Sequence, residues 1–142
     1  MAWPTLFNVT NAISLIAWAF LILGPRGPRT AAVILYFGVG LLCLAYMAMF
    51  VAQIETVFQG DFTGIAGIRA LFANDGGIVL GWTHYLAFDL FIGQWIAKDA
   101  DHKGFARWAQ SPILLLTLFA GPIGLLIWLI VRERRARATT RG

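Results

Sequence analysis

The sequence has few charged residues. Asp, Glu, Lys and Arg make up only 13% of its 142 residues, and 59% are hydrophobic. A soluble domain carries about 25% charged residues. This composition excludes an ordinary soluble domain, and it also excludes a disordered chain, which needs low hydrophobicity and high charge. The single cysteine, Cys43, excludes a disulfide within one chain.

Long stretches of the chain contain no charge at all. Asp, Glu, Lys and Arg are absent from residues 1–25, 30–54 and 108–131, and residues 76–97 contain only Asp89. A helix needs roughly 20 apolar residues to cross a hydrocarbon core about 30 Å thick. We therefore predict an all-α integral membrane four-helix bundle, a single transmembrane domain over residues 1–142, with helices at about 6–23, 31–52, 78–97 and 112–131.

Two local patterns refine this prediction. Between helices 2 and 3, apolar residues recur at helical spacing beside Arg69, which predicts a short amphipathic segment in the membrane interface, with a loop or lid as the alternative; they are Phe62, Ile65, Ile68, Leu71 and Phe72. In the last helix, Pro112 suits the first turn, and Gly121-Pro122 predicts a kink near the middle.

The basic residues are concentrated near the C-terminus. Five of the eleven follow the last predicted helix, namely Arg132, Arg134, Arg135, Arg137 and Arg141. Such a tail is typical of contact with anionic lipid, so we expect no nucleic acid partner. Four crossings would put six basic residues on one side and five on the other. The count is therefore nearly balanced, and only the dense tail favours a cytoplasmic C-terminus.

Asp89 is the most informative residue, because it lies within about two residues of the centre of helix 3. A charge at that depth costs at least about 2.5–3.5 kcal/mol on insertion scales. We favour a functional site over an acid that only locks helix packing. His84 lies about 140° around the helix from Asp89, so the two can flank one pocket but cannot share a narrow face. A histidine bonded to a backbone carbonyl at a helix contact is the alternative.

Further candidates surround these two residues. Tyr85 lies one turn before Asp89 and can share a proton with it, while Trp82 lies on the same stripe or belongs to an interfacial belt. Gly77 and Gly81 predict a groove that admits another backbone or a flat ligand.

Helix 1 and the long loop supply two more polar candidates. In helix 1, Asn8, Asn11 and Ser14 form a polar strip, and Asn11 is either a partner for Asp89 or an interhelical contact. Glu55 is the acid of the long loop best placed to reach a membrane pocket.

Sequence motifs for soluble cofactor chemistry are missing. The sequence contains no phosphate-binding loop, no dinucleotide fingerprint, no C-x-x-C and no G-x-S-x-G. Asp99, Asp101 and His102 match no strong metal motif, so we predict no metal site and leave the cofactor undetermined.

One segment resembles a known family. The stretch from Gly81 to Phe91, GWTHYLAFDLF, resembles the W-x-H-x-x-x-x-D-L-F segment of the abscisic-acid-deficient-four-like proteins, a membrane family associated with neoxanthin formation in plants. The segment from Gly64 to Phe72 and the segment from Gly121 to Leu125 are similar to two further segments of that family. The likeness covers most of residues 30–131.

The resemblance implies a membrane protein that modifies a carotenoid. Opening a xanthophyll epoxide to an allene is an isomerisation that needs an acid and a base in a dry pocket. On this hypothesis Asp89 and His84 form the pair with help from Tyr85, and the polyene channel is lined by Trp82, Phe88 and Phe91. The alternatives are a structural protein and a non-catalytic pigment-binding or assembly subunit, in which His84 would ligate the metal of a pigment ring.

We expect this protein in a bacterial inner membrane, because no plastid transit region precedes helix 1. The expected partners are membrane lipid and a carotenoid or another hydrophobic pigment, together with either a second copy of the chain or a pigment–protein complex.

Overall fold

A computed structural model describes residues 2–139, with side chains through Glu133. The described part of the chain is all-helical. Its helices are α1 (Trp3–Leu23), α2 (Pro28–Ala52), α3 (Ile54–Phe58), α4 (Ile65–Leu71), α5 (Asp75–His102), α6 (Arg107–Phe119) and α7 (Gly121–Thr139). The side chains of Arg134, Arg135 and Arg137, and the whole of Arg141, lie outside the described region, so the predicted basic tail is described only at Arg132.

Local chemistry explains where the first helices begin and end. The chain leaves α1 at Gly24, whose N–H donates to Phe20 O, and Pro28 occupies the first turn of α2, where its missing N–H costs nothing. Within α2, Ile34–Gly40 forms a π-helical stretch. The Asn74 side chain caps α5 by accepting a hydrogen bond of 2.9 Å from Gly77 N.

The short segment between the second and third long helices contains the predicted helix. It is α4, preceded by the single turn of α3. Leu71 and Phe72, at the end of α4, pack over α5, since a Cβ on Gly77 would meet Leu71 O and one on Gly81 would meet the Phe72 ring.

Helix α5 lies at the centre of the fold, with α1 and α2 packed against it. Close approach depends on small residues: the Trp18 ring lies over Gly93, and Gly38 of α2 lies against Ala17 and Leu90. The core between these three helices is apolar and includes Trp18, Leu42, Leu90 and Ile96, all at most 1% exposed.

The predicted fourth helix over 112–131 is wrong as a single element. The chain breaks at Ala120, and α6 and α7 pack side by side with Gly124 against Thr117. Because Trp128 and Arg132 of α7 contact Asp99, α7 returns to the end at which α6 began. The Gly121-Pro122 interruption therefore reverses the chain instead of kinking it. Pro112 lies inside α6, whose first turn is at Arg107.

These helices give the molecule two distinct ends. One end, called here the basic end, holds the α1–α2 and α5–α6 connections and the residue Arg132; its basic residues are Arg26, Arg29, Lys98, Lys103, Arg107 and Arg132. The opposite end holds Arg69 as its basic residue among the described side chains.

The structure supports the membrane expectation in part. Within the described residues, α1 and α2 are long and apolar enough to cross a membrane by length and composition. Many of their large apolar side chains are exposed, among them Leu15, Ile16, Tyr36, Phe37 and Met47. The third long helix, α5, does not meet the same criterion of length and composition.

Candidate functional site

The turn between α6 and α7 lies directly on Asp89. This residue is 9% exposed, and a Cβ built on Gly121 would lie 2.1 Å from Asp89 Oδ1 and 2.6 Å from Cγ. Only a residue without a side chain allows the carboxyl group to approach the backbone this closely. The carboxyl therefore lies at the N-terminal end of α7, where the helix dipole favours negative charge.

Tyr85 connects Asp89 to the same turn. Its hydroxyl donates a hydrogen bond of 3.2 Å to Phe119 O, a carbonyl at the end of α6. The Asp89 carboxyl lies one turn further along α5, near this hydroxyl but without a recorded hydrogen bond to it. Asp89 Oδ2 is buried and has no hydrogen-bond partner among the described residues. A phenol and a carboxyl this near to each other can pass a proton once they come within hydrogen-bond reach, and the buried Asp89 Oδ2 is available for a hydrogen bond.

An aromatic surface extends from Tyr85 toward α1. The Trp82 ring lies 5.5 Å from the Tyr85 ring and 5.9 Å from the Phe7 ring, measured between centroids. Trp82 Nε1 donates to Asn11 Oδ1 at 3.1 Å. Asn11 is thus the partner of Trp82, and not of Asp89. We define the tip face as Phe7, Asn11, Trp82, Tyr85 and Phe119; these side chains are partly or largely exposed beside the buried carboxyl.

His84 lies on a different face of α5. Its ring stacks on Phe88 with centroids 4.6 Å apart and meets Tyr46 of α2 edge-on at 5.6 Å. The structure therefore brings Tyr85 to Asp89 but places His84 among aromatic rings on the α2 side. The 140° separation predicted from the sequence accounts for this division.

The remaining predicted site residues are spread around these two faces. The predicted groove at Gly77 and Gly81 is filled by the chain itself. The backbone of Leu71 lies against Gly77, and the Phe72 ring lies against Gly81. Phe88 and Phe91 are 58% and 48% exposed, so their rings are available to a ligand outside the bundle. Glu55 is exposed in α3.

Sequence reasoning missed the contribution of α6 and α7 to the site. Gly121 supplies the surface against which the carboxyl rests, and Phe119 supplies the carbonyl that accepts from Tyr85. The signal was present in Gly121-Pro122, a sequence that interrupts helices, but its position relative to Asp89 depends on the reversal of the chain.

The acids at the basic end are used in ion pairs. Asp99 accepts from Arg132 Nε at 2.7 Å and from Trp128 Nε1 at 3.1 Å, and the Arg132 hydrogen bond holds the Asp99 pKa below its ordinary value. Asp101 accepts from Gln110 Nε2 at 2.8 Å and pairs with Arg26 at 3.8 Å. Within the part of the chain that the structure describes, no group of three His, Cys, Asp or Glu residues could hold a metal ion.

The fold and the site define a class of protein: small, all-helical, with long apolar helices around a buried acidic residue. The model of the ABA DEFICIENT 4-like family matches residues 5–128, and the chain belongs to this family. The family resemblance in the sequence is thereby confirmed, and membership suggests involvement in xanthophyll- and neoxanthin-related processes. No curated protein and no solved structure matches the chain.

Proposed function

We propose that the chain is an integral membrane protein that isomerises a xanthophyll by acid–base chemistry at Asp89 and Tyr85. The observation that carries this proposal is a buried carboxyl oxygen without a hydrogen-bond partner, held against the α6–α7 turn near the Tyr85 phenol and beside an exposed aromatic face. Family membership supplies the carotenoid class of substrate.

The proposed membrane arrangement has three crossings and one hairpin. The helices α1, α2 and α5 contain 21, 25 and 28 residues, enough to cross about 30 Å of hydrocarbon. The 13 residues of α6 reach only about 20 Å, so the α6–α7 hairpin enters from the basic end and returns to it. The six basic residues at this end, against Arg69 at the other end, favour a cytoplasmic location for it. This arrangement takes the place of the four-span bundle.

Asp89 then lies inside the hydrocarbon layer, within the membrane-spanning part of α5 at residues 78–97. The exposed tip face is where the end ring of a lipid-dissolved carotenoid can reach the carboxyl and the phenol. Trp82 and Phe7 offer flat apolar surface for a polyene, and Asn11 offers an amide for a ring hydroxyl.

The proton transfers that epoxide opening requires can be carried out by this pair. The Asp89 carboxylate removes one proton from the carbon next to the epoxide, and the C–H electron pair becomes a new carbon–carbon double bond. The carbon–oxygen bond breaks with its electrons on oxygen, which takes a proton from Tyr85. Transfer of the proton from Asp89 to Tyr85 restores both groups, so the reaction needs no oxidant or reductant.

The test is pigment conversion in a carotenoid-producing host that expresses the full chain. Asp89→Asn and Tyr85→Phe should each lower conversion by about 100-fold or more, the usual contribution of a positioned acid or base. Tyr46→Phe is the matched control, because it removes a hydroxyl from the His84 face, and it should retain conversion. Full conversion by both site variants, at equal protein abundance, would reject the proposal.

A second candidate function is a non-catalytic pigment-binding or assembly subunit. The observation in its favour is that His84 is exposed and stacked on Phe88, so its imidazole is open to a ligand from outside the bundle. An absorption spectrum of gently purified protein separates the two functions. A tetrapyrrole band that is lost in His84→Ala supports the subunit, whereas a carotenoid that changes on incubation supports the enzyme.

A further inference from the structure

A cavity at the basic end lies apart from the Asp89 site. It has a volume of about 280 Å³ and lies between the α1–α2 connection and the last turns of α5. Its charged and titratable lining consists of Arg26, Lys98, Asp101 and His102, and its apolar lining includes Phe20 and Ile34. The cavity therefore has a polar part and an apolar part.

A second, apolar groove lies next to this cavity, toward the middle of the molecule. The groove has a volume of about 230 Å³ and lies between α1 and α2, beside the π-helical stretch. It shares Phe20 and Ile34 with the cavity, and its other lining residues are Ile13, Ile16, Ala17, Val33, Phe37 and Gly38. A charged cavity with an apolar groove beside it matches the polarity of an amphiphile, whose chain would pass along Phe20 and Ile34.

The charges of the cavity favour an anion. Arg26 and Lys98 carry two positive charges against the one negative charge of Asp101. Asp101 is shared, since it pairs with Arg26 Nε at 3.8 Å and also accepts from buried Gln110. Arg26 Nη2 donates to Gln110 Oε1 at 3.1 Å, whereas Nε makes no hydrogen bond within the described residues, so the guanidinium keeps donors for a ligand. The exposed Lys98 side chain has no ion pair among those the structure records.

We propose that this cavity binds the headgroup of an anionic phospholipid of the cytoplasmic leaflet, with one acyl chain in the groove between α1 and α2. The phosphate would be held by Lys98 and Arg26, whose cationic groups suit phosphate oxygens. The neighbouring groove favours a lipid as the occupant, because a free anion has no apolar part that could fill it. The inference rests on the proposed membrane arrangement and is independent of the carotenoid chemistry.

The experiment uses the full chain in nanodiscs of phosphatidylcholine and phosphatidylglycerol in equal amounts, followed by native mass spectrometry of the retained lipid. The parent chain should retain phosphatidylglycerol in preference to phosphatidylcholine. Lys98→Ala should reduce that preference about five-fold, the effect of one basic residue near an anionic headgroup. Lys103→Ala is the matched control, because it removes the same charge at the same end outside the cavity lining, and it should leave the preference unchanged.

Soluble competitors identify the chemical source of the anion. Inorganic phosphate and glycerophosphoglycerol, which lack acyl chains, should not displace the retained lipid. Displacement by either would overturn the lipid assignment in favour of a small-anion site. Equal losses in Lys98→Ala and Lys103→Ala, or no preference in the parent chain, would overturn the site itself. Pigment conversion is not part of these measurements, so their failure is distinct from failure of the proposed function.

Discussion

Gly121→Ala tests the contact on which the candidate site depends. The added Cβ would lie 2.1 Å from Asp89 Oδ1, 2.6 Å from Cγ and 2.9 Å from Oδ2, and real contacts of a Cβ are essentially never shorter than 3.0 Å. Asp89 has a short side chain and is 9% exposed, so the carboxyl has little room to retreat. Either this group rotates away from Tyr85, or the turn between α6 and α7 moves off α5.

The expected cost follows from overpacking of a buried site. Inserting one methyl group into a well-packed interior typically costs about 1–3 kcal/mol. We expect the free energy of unfolding of Gly121→Ala to fall by about that amount, and pigment conversion to fall more steeply because the acid and the phenol are separated.

Gly40→Ala is the matched control. Its added Cβ would meet only Leu35 O, at an ordinary 3.4 Å, inside the long helix α2. Alanine should therefore leave the free energy of unfolding unchanged or raise it by up to about 1 kcal/mol. Both variants can be measured by denaturant titration in mixed micelles beside a pigment assay. Unaltered stability and unaltered conversion in Gly121→Ala would refute the argument that Asp89 and the turn are in contact.

Two further predictions concern the Asp99 ion pair and the number of membrane crossings. Asp99→Asn should lower the thermal midpoint at pH 7 by a few degrees, since it removes the carboxylate that accepts from Arg132 and Trp128. The pKa of Asp99 is lower in the folded chain than in the unfolded chain, so the ionised carboxylate stabilises the fold above the unfolded pKa, and this stabilisation is lost as pH falls through the folded pKa. The thermal midpoints of the parent chain and of Asp99→Asn should therefore converge in acid. A constant difference between these midpoints at all pH values would contradict this. In a Cys43→Ala background, cysteines placed at Gln59 and at Glu133 should react with an impermeant maleimide from opposite sides of membrane vesicles. Labelling from the same side would support four crossings and reject the hairpin.

Local sequence patterns were sufficient for most of the helices. Windows with no charge, or with Asp89 alone, predicted the first three long helices, and apolar spacing beside Arg69 predicted α4. The separation of His84 from Asp89 also followed from helix geometry alone. These features depend on residues close together in the chain, where the periodicity of a helix determines which side chains share a face.

The reversal at Ala120 could not be predicted in the same way. A Gly-Pro pair within an apolar run interrupts a helix, but the same pair is compatible with a kink or with a turn of the chain. Contacts between distant residues, chiefly Asp99 with Arg132 and Asp89 with Gly121, distinguish the two. For this reason the sequence count of basic residues was balanced, whereas the folded chain places them mostly at one end.

The hairpin also has a consequence for biogenesis. In the proposed membrane arrangement, α1, α2 and α5 are synthesised before α6 and α7, so they would enter the bilayer while Asp89 is not yet covered by the α6–α7 turn. The carboxyl would then face the translocon or the lipid until the last two helices are synthesised. A chain stopped before Arg107 would leave the Asp89 carboxyl uncovered permanently. We expect membrane quality-control proteases to degrade such a chain.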